Sequence, residues 1–380
     1  MNQKSNLDSD GPGEERILVE YRLTCDGENP EAKAREIALE QTVELPSESI
    51  SPEIERLVVG RLENMERAEG QVWNAAISYP ATAIGTGASQ LFSLLFGNIS
   101  LKSGVLVTNV EFPEGLLRFL PGPRFGITGL RRLCSVTQRR PLLCTALKPL
   151  GLSAEGLAEL SYQFALGGCD IIKDDHGLVN QRTARFEERI FRCVEAVRRA
   201  NEETGGNSLY FPNVASSGPS LAEDLEIVRA AGCLGILVSP LVVGLDTVRW
   251  TASNGGVAIL SHPSLAGAFF HPHHGVSPAV LLGKLFRIVG SDGVIYPNVG
   301  GRFELTEADC SAINESLRCR MGSIQPALPV PAGGIDTEFV LRWIERYGTD
   351  TMFLIGGSLY AKPDLVQATK KLMGALSSHA

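Results

Sequence analysis

Gly167-Gly168-Cys169-Asp170-Ile171-Ile172-Lys173-Asp174-Asp175-His176-Gly177 begins as an apolar run and breaks abruptly into charge. In an extended chain, alternation puts Lys173 and Asp175 on one side. His176 falls just past the strand end, where the loop can turn it inward. A lysine beside two acids at such a place is costly unless it is used, and Asp175 and His176 are both potential metal ligands. The plain alternative is a salt-bridged, exposed strand end.

Seven other apolar runs share this design: Leu142–Leu147, Ser208–Pro212, Leu234–Val238, Val257–Leu260, Gly293–Tyr296, Ala327–Val330 and Met352–Ile355. With Cys169–Ile172 they make eight, spaced roughly 23–40 residues apart with helix-like sequence between most of them. Strands alternating with helices imply βαβ units and a parallel sheet. Eight units in this length predict a (β/α)8 barrel, typically ~250 residues; an open doubly wound sheet would use fewer strands. Ahead of the barrel the pattern is mixed. Arg16–Thr24 alternates like a strand, Glu31–Glu40 is helical, Gln41–Leu45 is extended, and Ser51-Pro52 opens another helix with a Ser cap and Pro at its first position. Segments near 70–80 and 103–109 are again strand-like. The expected organisation is a flexible tail 1–14, a mixed α/β domain 15–138 and a barrel 139–380.

Composition narrows the partners. The chain has 380 residues with 35 Lys+Arg against 43 Asp+Glu, a net charge of −8, which argues against nucleic acid and anionic membranes. A small anionic substrate needs only local donors and stays open. A hydrophobic fraction of 44% suffices for a full core. No apolar run approaches the ~18–20 residues of a membrane span, and the first fourteen residues carry no apolar signal segment, so a cytoplasmic location is expected. The eight cysteines contain no Cys-x-x-Cys pair and read as buried, reduced thiols.

In barrels of this kind the chemistry sits at the carboxyl ends of the strands. Here those ends carry Lys148-Pro149, Lys173 to Gly177, Asn213, His262, Asn298 with Gly300-Gly301-Arg302, Gly333-Gly334, and Gly356-Gly357. Lys148 alone would read as a surface lysine, and each glycine pair alone as a turn. Glycine pairs after the last two strands, however, fall where such barrels commonly hold phosphate, because N–H groups without Cβ atoms can cradle an anion. His271-Pro272-His273-His274 looks metal-like, yet a turn around Pro272 does not converge the rings, and a solvated loop is expected.

The order of these motifs resembles the ribulose-bisphosphate carboxylase (RuBisCO) large-chain superfamily over nearly the whole chain after the tail. The likeness is strongest in Lys148-Pro149-Leu150-Gly151-Leu152-Ser153, in Gly167 to Asp175, and in Pro331-Ala332-Gly333-Gly334. The resemblance implies a (β/α)8 barrel preceded by a smaller ferredoxin-like α+β domain. It implies that Lys173 becomes a carbamate and holds Mg2+ together with Asp175. It also implies a homodimer or higher assembly in which Glu40 and Asn98 reach the partner's site. Composition alone would leave those two as surface residues.

The departures from the family are equally specific. Its third, glutamate ligand is His176 here, so another divalent metal, or an acid/base role for His176, becomes possible. The loop after the sixth barrel strand, Pro297 to Phe303, is short and lacks the family's lysine; Pro263 and Ala332 replace an arginine and a serine. The chain is therefore identified as a RuBisCO-like protein that does not fix carbon dioxide. The chemistry implied is a metal-stabilised enediolate with Lys148 as the base, and with His262, His176 and Arg302 moving a proton or holding a carboxylate. Asn213, Asn298, Gly333, Gly334, Gly356 and Gly357 would bind a small phosphorylated sugar acid. The Asn-Val-Gly-Gly-Arg-Phe loop with His176 resembles relatives that cleave a carbon–carbon bond of substrates like 3-oxoisoapionate 4-phosphate. The alternatives are an enolase or isomerase of a methylthioribulose-type phosphate, or a non-catalytic sugar-phosphate sensor. Retention of Lys148, Lys173 and Asp175 argues against a sensor.

Overall fold

A computed structural model describes residues 15–85, 87–335 and 340–378. The expected tail 1–14 and His379 lie outside them. The chain divides into a smaller unit, up to Phe119 and completed by His271–Val276, and a larger unit formed by Leu120–Phe270 and the chain from Ser277 onward.

The smaller unit runs β1 (Arg16–Thr24), helix Pro30–Glu40, β2 (Arg61–Glu69), β3 (Val72–Pro80), helix Ala88–Phe96 and β4 (Val105–Glu111). These strands lie in the order β4-β1-β3-β2, and β1 pairs antiparallel with β3 and β4. That is the ferredoxin-like arrangement. Ile17, Val19, Tyr21 and Leu23 are fully buried along one face of β1, as period-two alternation requires. The first helix starts as its sequence dictates, with Asn29 Oδ1 accepting from Ala32 N–H (3.0 Å) and Pro30 following the cap. Ser51 caps the helix Pro52–Val58 in the same way. One expectation fails here, and one strand went unread. Gln41–Leu45 is not a strand: Gln41 ends the first helix, and its side chain donates to the carbonyls of Ser93 and Leu94. The polar β2 escapes the hydrophobic pattern because it is an edge strand, exposed along most of its length.

The barrel strands are β5 (Leu142–Leu147), β6 (Ile171–Asp174), β7 (Leu209–Phe211), β8 (Gly235–Val238) and β9 (Ala258–Ser261). The short β10 (Phe270–His271) and β11 (His274–Val276) join the smaller unit's sheet, and β12 (Gly293–Pro297), β13 (Leu328–Ala332) and β14 (Met352–Leu354) complete the barrel. Each of the eight apolar runs overlaps one of these eight strands. Their order is β7-β6-β5-β14-β13-β12-β9-β8. The ring closes between β7 and β8 through Leu237 N–H to Pro212 O (2.8 Å) and Val214 N–H to Leu237 O (2.9 Å). Leu142, Ile171, Phe211, Leu260, Ile295, Val330 and Met352 form the core inside it. Phe211 fills the space beside Gly235, where a Cβ would come within 2.2 Å of the ring.

The boundary between units falls at 119/120 and not at 138/139. The helix Gly126–Leu133 belongs with the barrel because Leu130 and Cys134 pack into its core. Asp292, just before β12, accepts from the N–H groups of Phe125 (2.6 Å), Gly126 (2.8 Å) and Ile259 (2.8 Å), tying that helix's start to two strands.

Candidate active site

The carboxyl ends of β5, β6 and β9 bring one charged cluster together. Lys148 follows β5, and its Nζ lies 2.6 Å from Asp175 Oδ2. Asp175 follows β6; its Oδ1 accepts from Gly177 N–H (3.0 Å) and lies 3.3 Å from His176 Nδ1. His262 follows β9, and its ring stacks on His176 with centroids 4.0 Å apart and planes 12° apart. Hydrogen bonds from Lys148 and from Gly177 N–H hold the Asp175 carboxyl below the usual range, although its partial burial works the other way. Burial lowers His176. Burial, with Lys173 and His176 nearby, pushes His262 down to about 2, so its ring is neutral across the ordinary pH range.

Lys173 is buried at 2% exposure, and its Nζ donates to the carbonyl of Asp174 (3.0 Å). Burial pushes its amine below the usual lysine range. That favours the neutral amine, the form able to add carbon dioxide. Asp174 points away from this cluster. It accepts from Arg189 Nε (3.1 Å), Tyr210 OH (2.6 Å) and Asn213 N–H (3.0 Å), and both Asp174 and Arg189 are sealed from solvent. Burial works against its charge, yet Asp174 keeps the Arg189 guanidinium raised above its ordinary range. The strand end is thus neither exposed nor generically salt-bridged: alternate side chains divide between a buried brace and the cluster.

Among the described residues, no three His, Cys, Asp or Glu side chains are grouped to hold a metal. Asp175 and His176 supply two donors, and a third, an oxygen, arises only if Lys173 becomes a carbamate. The residues fit a divalent ion on that condition alone.

The other expected site residues fall in several places. Asn213 is buried, and its amide donates to the carbonyls of His176 (3.0 Å) and Leu178 (2.9 Å). It braces the loop after β6. Asn298 is also sealed; its Oδ1 accepts from Tyr347 OH (2.6 Å), while its Nδ2 has no partner among the described residues. Arg302 stands exposed on the loop after β12, with no ion-pair partner among the described residues. Gly333 and Gly334 have positive φ (80° and 66°), and a Cβ at Gly334 would lie 2.7 Å from Gly301 N, so the loops after β12 and β13 touch where only glycine fits. A Cβ at Gly333, Gly356 or Gly357 would meet nothing within 4 Å among the described residues. In the smaller unit, Asn98 Nδ2 donates to Glu40 Oε1 (3.1 Å). His271 and His273 are exposed, whereas His274 is held by Ser100 O (3.0 Å) beside the Phe96 ring.

Tyr360 escaped the sequence reading. It lies in the short helix Gly357–Tyr360 that begins within the last glycine pair. Its hydroxyl donates to Ala146 O (3.0 Å) and accepts from Lys148 N–H (3.0 Å), fixing the backbone from which Lys148 extends. The signal was faint: one tyrosine, far along the chain from the lysine it holds.

The parallel barrel thus gathers lysine, carboxylate and imidazole at its strand ends, with glycine loops at the same end, where barrels of this class carry their sites. The sequence profile of the ribulose bisphosphate carboxylase large chain catalytic domain matches residues 126–375. The 5-methylthioribulose-1-phosphate isomerase of Rhodospirillum rubrum is 35% identical, over 96% of this chain and 97% of its own. The crystal structure of a RuBisCO-like protein from Rhodopseudomonas palustris superposes with a TM-score of 0.89 at 34% identity, covering 97% of this chain and 99% of that one. An octameric ribulose-1,5-bisphosphate carboxylase/oxygenase from Pyrococcus horikoshii has a TM-score of 0.89 at 28% identity, covering 97% and 89%. The chain belongs to the ribulose bisphosphate carboxylase large-chain family, as one of its RuBisCO-like members.

Proposed function

We propose that the larger unit enolises a phosphorylated keto sugar, removing a proton from the carbon beside the carbonyl. The observation that carries this is the Lys148–Asp175 pair at 2.6 Å beside the stacked imidazoles of His176 and His262. Lys148, half exposed, has the reach to leave Asp175 and take the carbon-bound proton. Asp175 and His176 then face the reacting oxygens, while the glycine loops after β13 and β14 receive the phosphate. A divalent ion such as Mg2+, held by Asp175, His176 and a Lys173 carbamate, would polarise the carbonyl.

The likeness to the R. rubrum isomerase supports proton return to the neighbouring carbon, which makes the reaction an isomerisation or enolisation of a methylthioribulose-type phosphate. The second reading is carbon–carbon cleavage of a phosphorylated 3-oxo sugar acid such as 3-oxoisoapionate 4-phosphate. It is favoured by Arg302, whose exposed guanidinium on the loop after β12, without an ion-pair partner among the described residues, suits a substrate carboxylate. Both substrates should be incubated with the protein in D2O and followed by proton and phosphorus NMR. Solvent deuterium entering an intact product supports isomerisation, and a new phosphorylated fragment supports cleavage. Neither signal from either compound would defeat the enolising reading.

We further propose self-association, in keeping with the octameric P. horikoshii relative, with Glu40 and Asn98 serving a partner's site. Light scattering on the purified protein tests it; a monomer at micromolar concentration would refute it.

A further inference from the structure

We propose that Tyr360 is a positioning residue for the reaction: its hydroxyl stands in for a missing residue of β14 and holds the end of β5, so that Lys148 points into the barrel. This deepens the enolising reading and rests on it for the use made of Lys148, though not for the hold on its backbone.

In a parallel ladder, alternate residues of a strand bond to the same neighbour. Along β5 those facing β14 are Leu142 and Cys144. Leu142 N–H donates to Thr351 O (2.9 Å), and Cys144 O accepts from Ile355 N–H (2.9 Å). Ala146 O and Lys148 N–H come next on the same edge. With Leu354 opposite Cys144, a continued β14 would meet both through the N–H and C=O of one residue, Gly357. Gly357 has left the sheet instead. It opens the short helix Gly357–Tyr360, and its carbonyl accepts from Ala361 N–H (3.1 Å). The Tyr360 hydroxyl fills the gap. It donates to Ala146 O (3.0 Å) and accepts from Lys148 N–H (3.0 Å), the two bonds the missing residue would have made. The partners fix both directions, because a carbonyl only accepts and a backbone N–H only donates.

The tyrosine is itself held. Its ring meets the buried ring of Phe164 edge-on, with centroids 5.4 Å apart. Ser358 Oγ in the same helix donates to Ile335 O (3.3 Å), beyond the end of β13. Leu142 and Cys144 face the barrel core, so alternation aims Ala146 and Lys148 inward as well. There Lys148 Nζ meets Asp175 Oδ2 at 2.6 Å, from a side chain that is half exposed and gains little from packing. Once the backbone is released, a small rotation at Cα is amplified along the flexible stem. Misplacing a reacting group by about 1 Å can cost ~10²-fold in rate. The glycine loops keep their N–H groups, so the loss falls on turnover and not on binding.

The test is Tyr360→Phe in the full chain, which keeps the ring on Phe164 and removes the hydroxyl alone. Amide hydrogen exchange, read residue by residue, should quicken at least tenfold at Lys148. Leu142 and Leu143 should stay protected, because their N–H groups bond to Thr351 O and to the Asp170 carboxylate. The methylthioribulose phosphate and 3-oxoisoapionate 4-phosphate serve as probes. With whichever one exchanges deuterium, kcat should fall by ~10–100-fold while KM stays within about twofold. Circular dichroism melting sets the assay temperature below the transition, so that unfolding does not mimic the fall. Unchanged exchange at Lys148, quickened exchange all along β5, an unaltered kcat, or a loss carried by KM overturns the assignment. A wild-type protein that turns over neither probe counts against the enolising reading, and the quickened Lys148 amide then still supports the hold of Tyr360 on its backbone.

Discussion

Asp174 and Asp175 are adjacent, yet their replacement by asparagine should have opposite effects. Asp174 accepts from Arg189, Tyr210 and the Asn213 N–H inside a sealed pocket. Asp174→Asn keeps the shape but leaves the buried Arg189 guanidinium without its counter-charge, and losing one partner of such a pair costs about 3–5 kcal/mol. For a barrel of this size each kcal/mol moves the melting temperature by roughly 2 °C, so a fall of about 6–10 °C is expected. Turnover below that melting point should persist, since the Asp174 side chain meets the site through Asn213 and the loop it braces, and its backbone bond to Lys173 is unchanged by the substitution. Asp175 pairs with a half-exposed Lys148, so Asp175→Asn should change stability by no more than ~1 kcal/mol. It should nevertheless abolish most of the deuterium exchange, by ~100-fold or more. Circular dichroism melting and the NMR exchange assay, run side by side on both variants, decide the matter. An Asp174→Asn protein melting within 2 °C of wild type, or an Asp175→Asn protein that keeps full exchange, would refute this division of labour.

The purified protein should incorporate no labelled carbon dioxide into ribulose bisphosphate, because the loop after β12 is short and lysine-free and packs against Gly334; measurable labelling would show otherwise. Gly357→Val places a side chain where the protein itself leaves open space, so folding should be unaffected while KM rises at least tenfold; an unchanged KM would put the phosphate elsewhere. Activity should rise with bicarbonate plus Mg2+ and fall with a chelator, and Lys173→Ala should remove bound metal in direct metal analysis. A fully active, metal-free protein with unmodified Lys173 would exclude the carbamate. Asp292→Ala should destabilise the barrel by ~3 kcal/mol or more, because it strands the buried N–H groups of Phe125, Gly126 and Ile259; urea denaturation measures this.

The barrel was legible because each of its strands is a compact apolar run bounded by turns or helix, a signal local in sequence. The cluster was legible for a related reason: alternation along β6 separates Lys173 and Asp175 from Asp174 without knowledge of any partner. What those residues touch was not legible. Asn213 at a strand end read as a substrate ligand, and only the fold shows its amide N–H groups donating to the carbonyls of His176 and Leu178. Asn298 is held by Tyr347 and Lys148 by Tyr360, pairings set by barrel closure and invisible to a local pattern. The unit boundary was misplaced for the same reason: the helix Gly126–Leu133 precedes the first barrel strand in sequence but contributes Leu130 to the barrel core. In the smaller unit, the exposed edge strand β2 carries none of the apolar alternation by which its neighbours were found.

The strand β11 has a consequence for the order of biosynthesis. It lies parallel to β4 within the smaller unit, through Gly275 opposite Leu106 and Val276 opposite Val107. On the ribosome, β4 emerges long before its neighbour, with all of β5 to β9 synthesised in between. Throughout that interval the nascent chain presents one border of β4 with its backbone donors and acceptors unmatched, an adhesive edge for any other extended chain. A truncated product ending near Phe119 would keep that edge permanently, and its solubility would suffer even though every element of the ferredoxin-like fold is encoded in it.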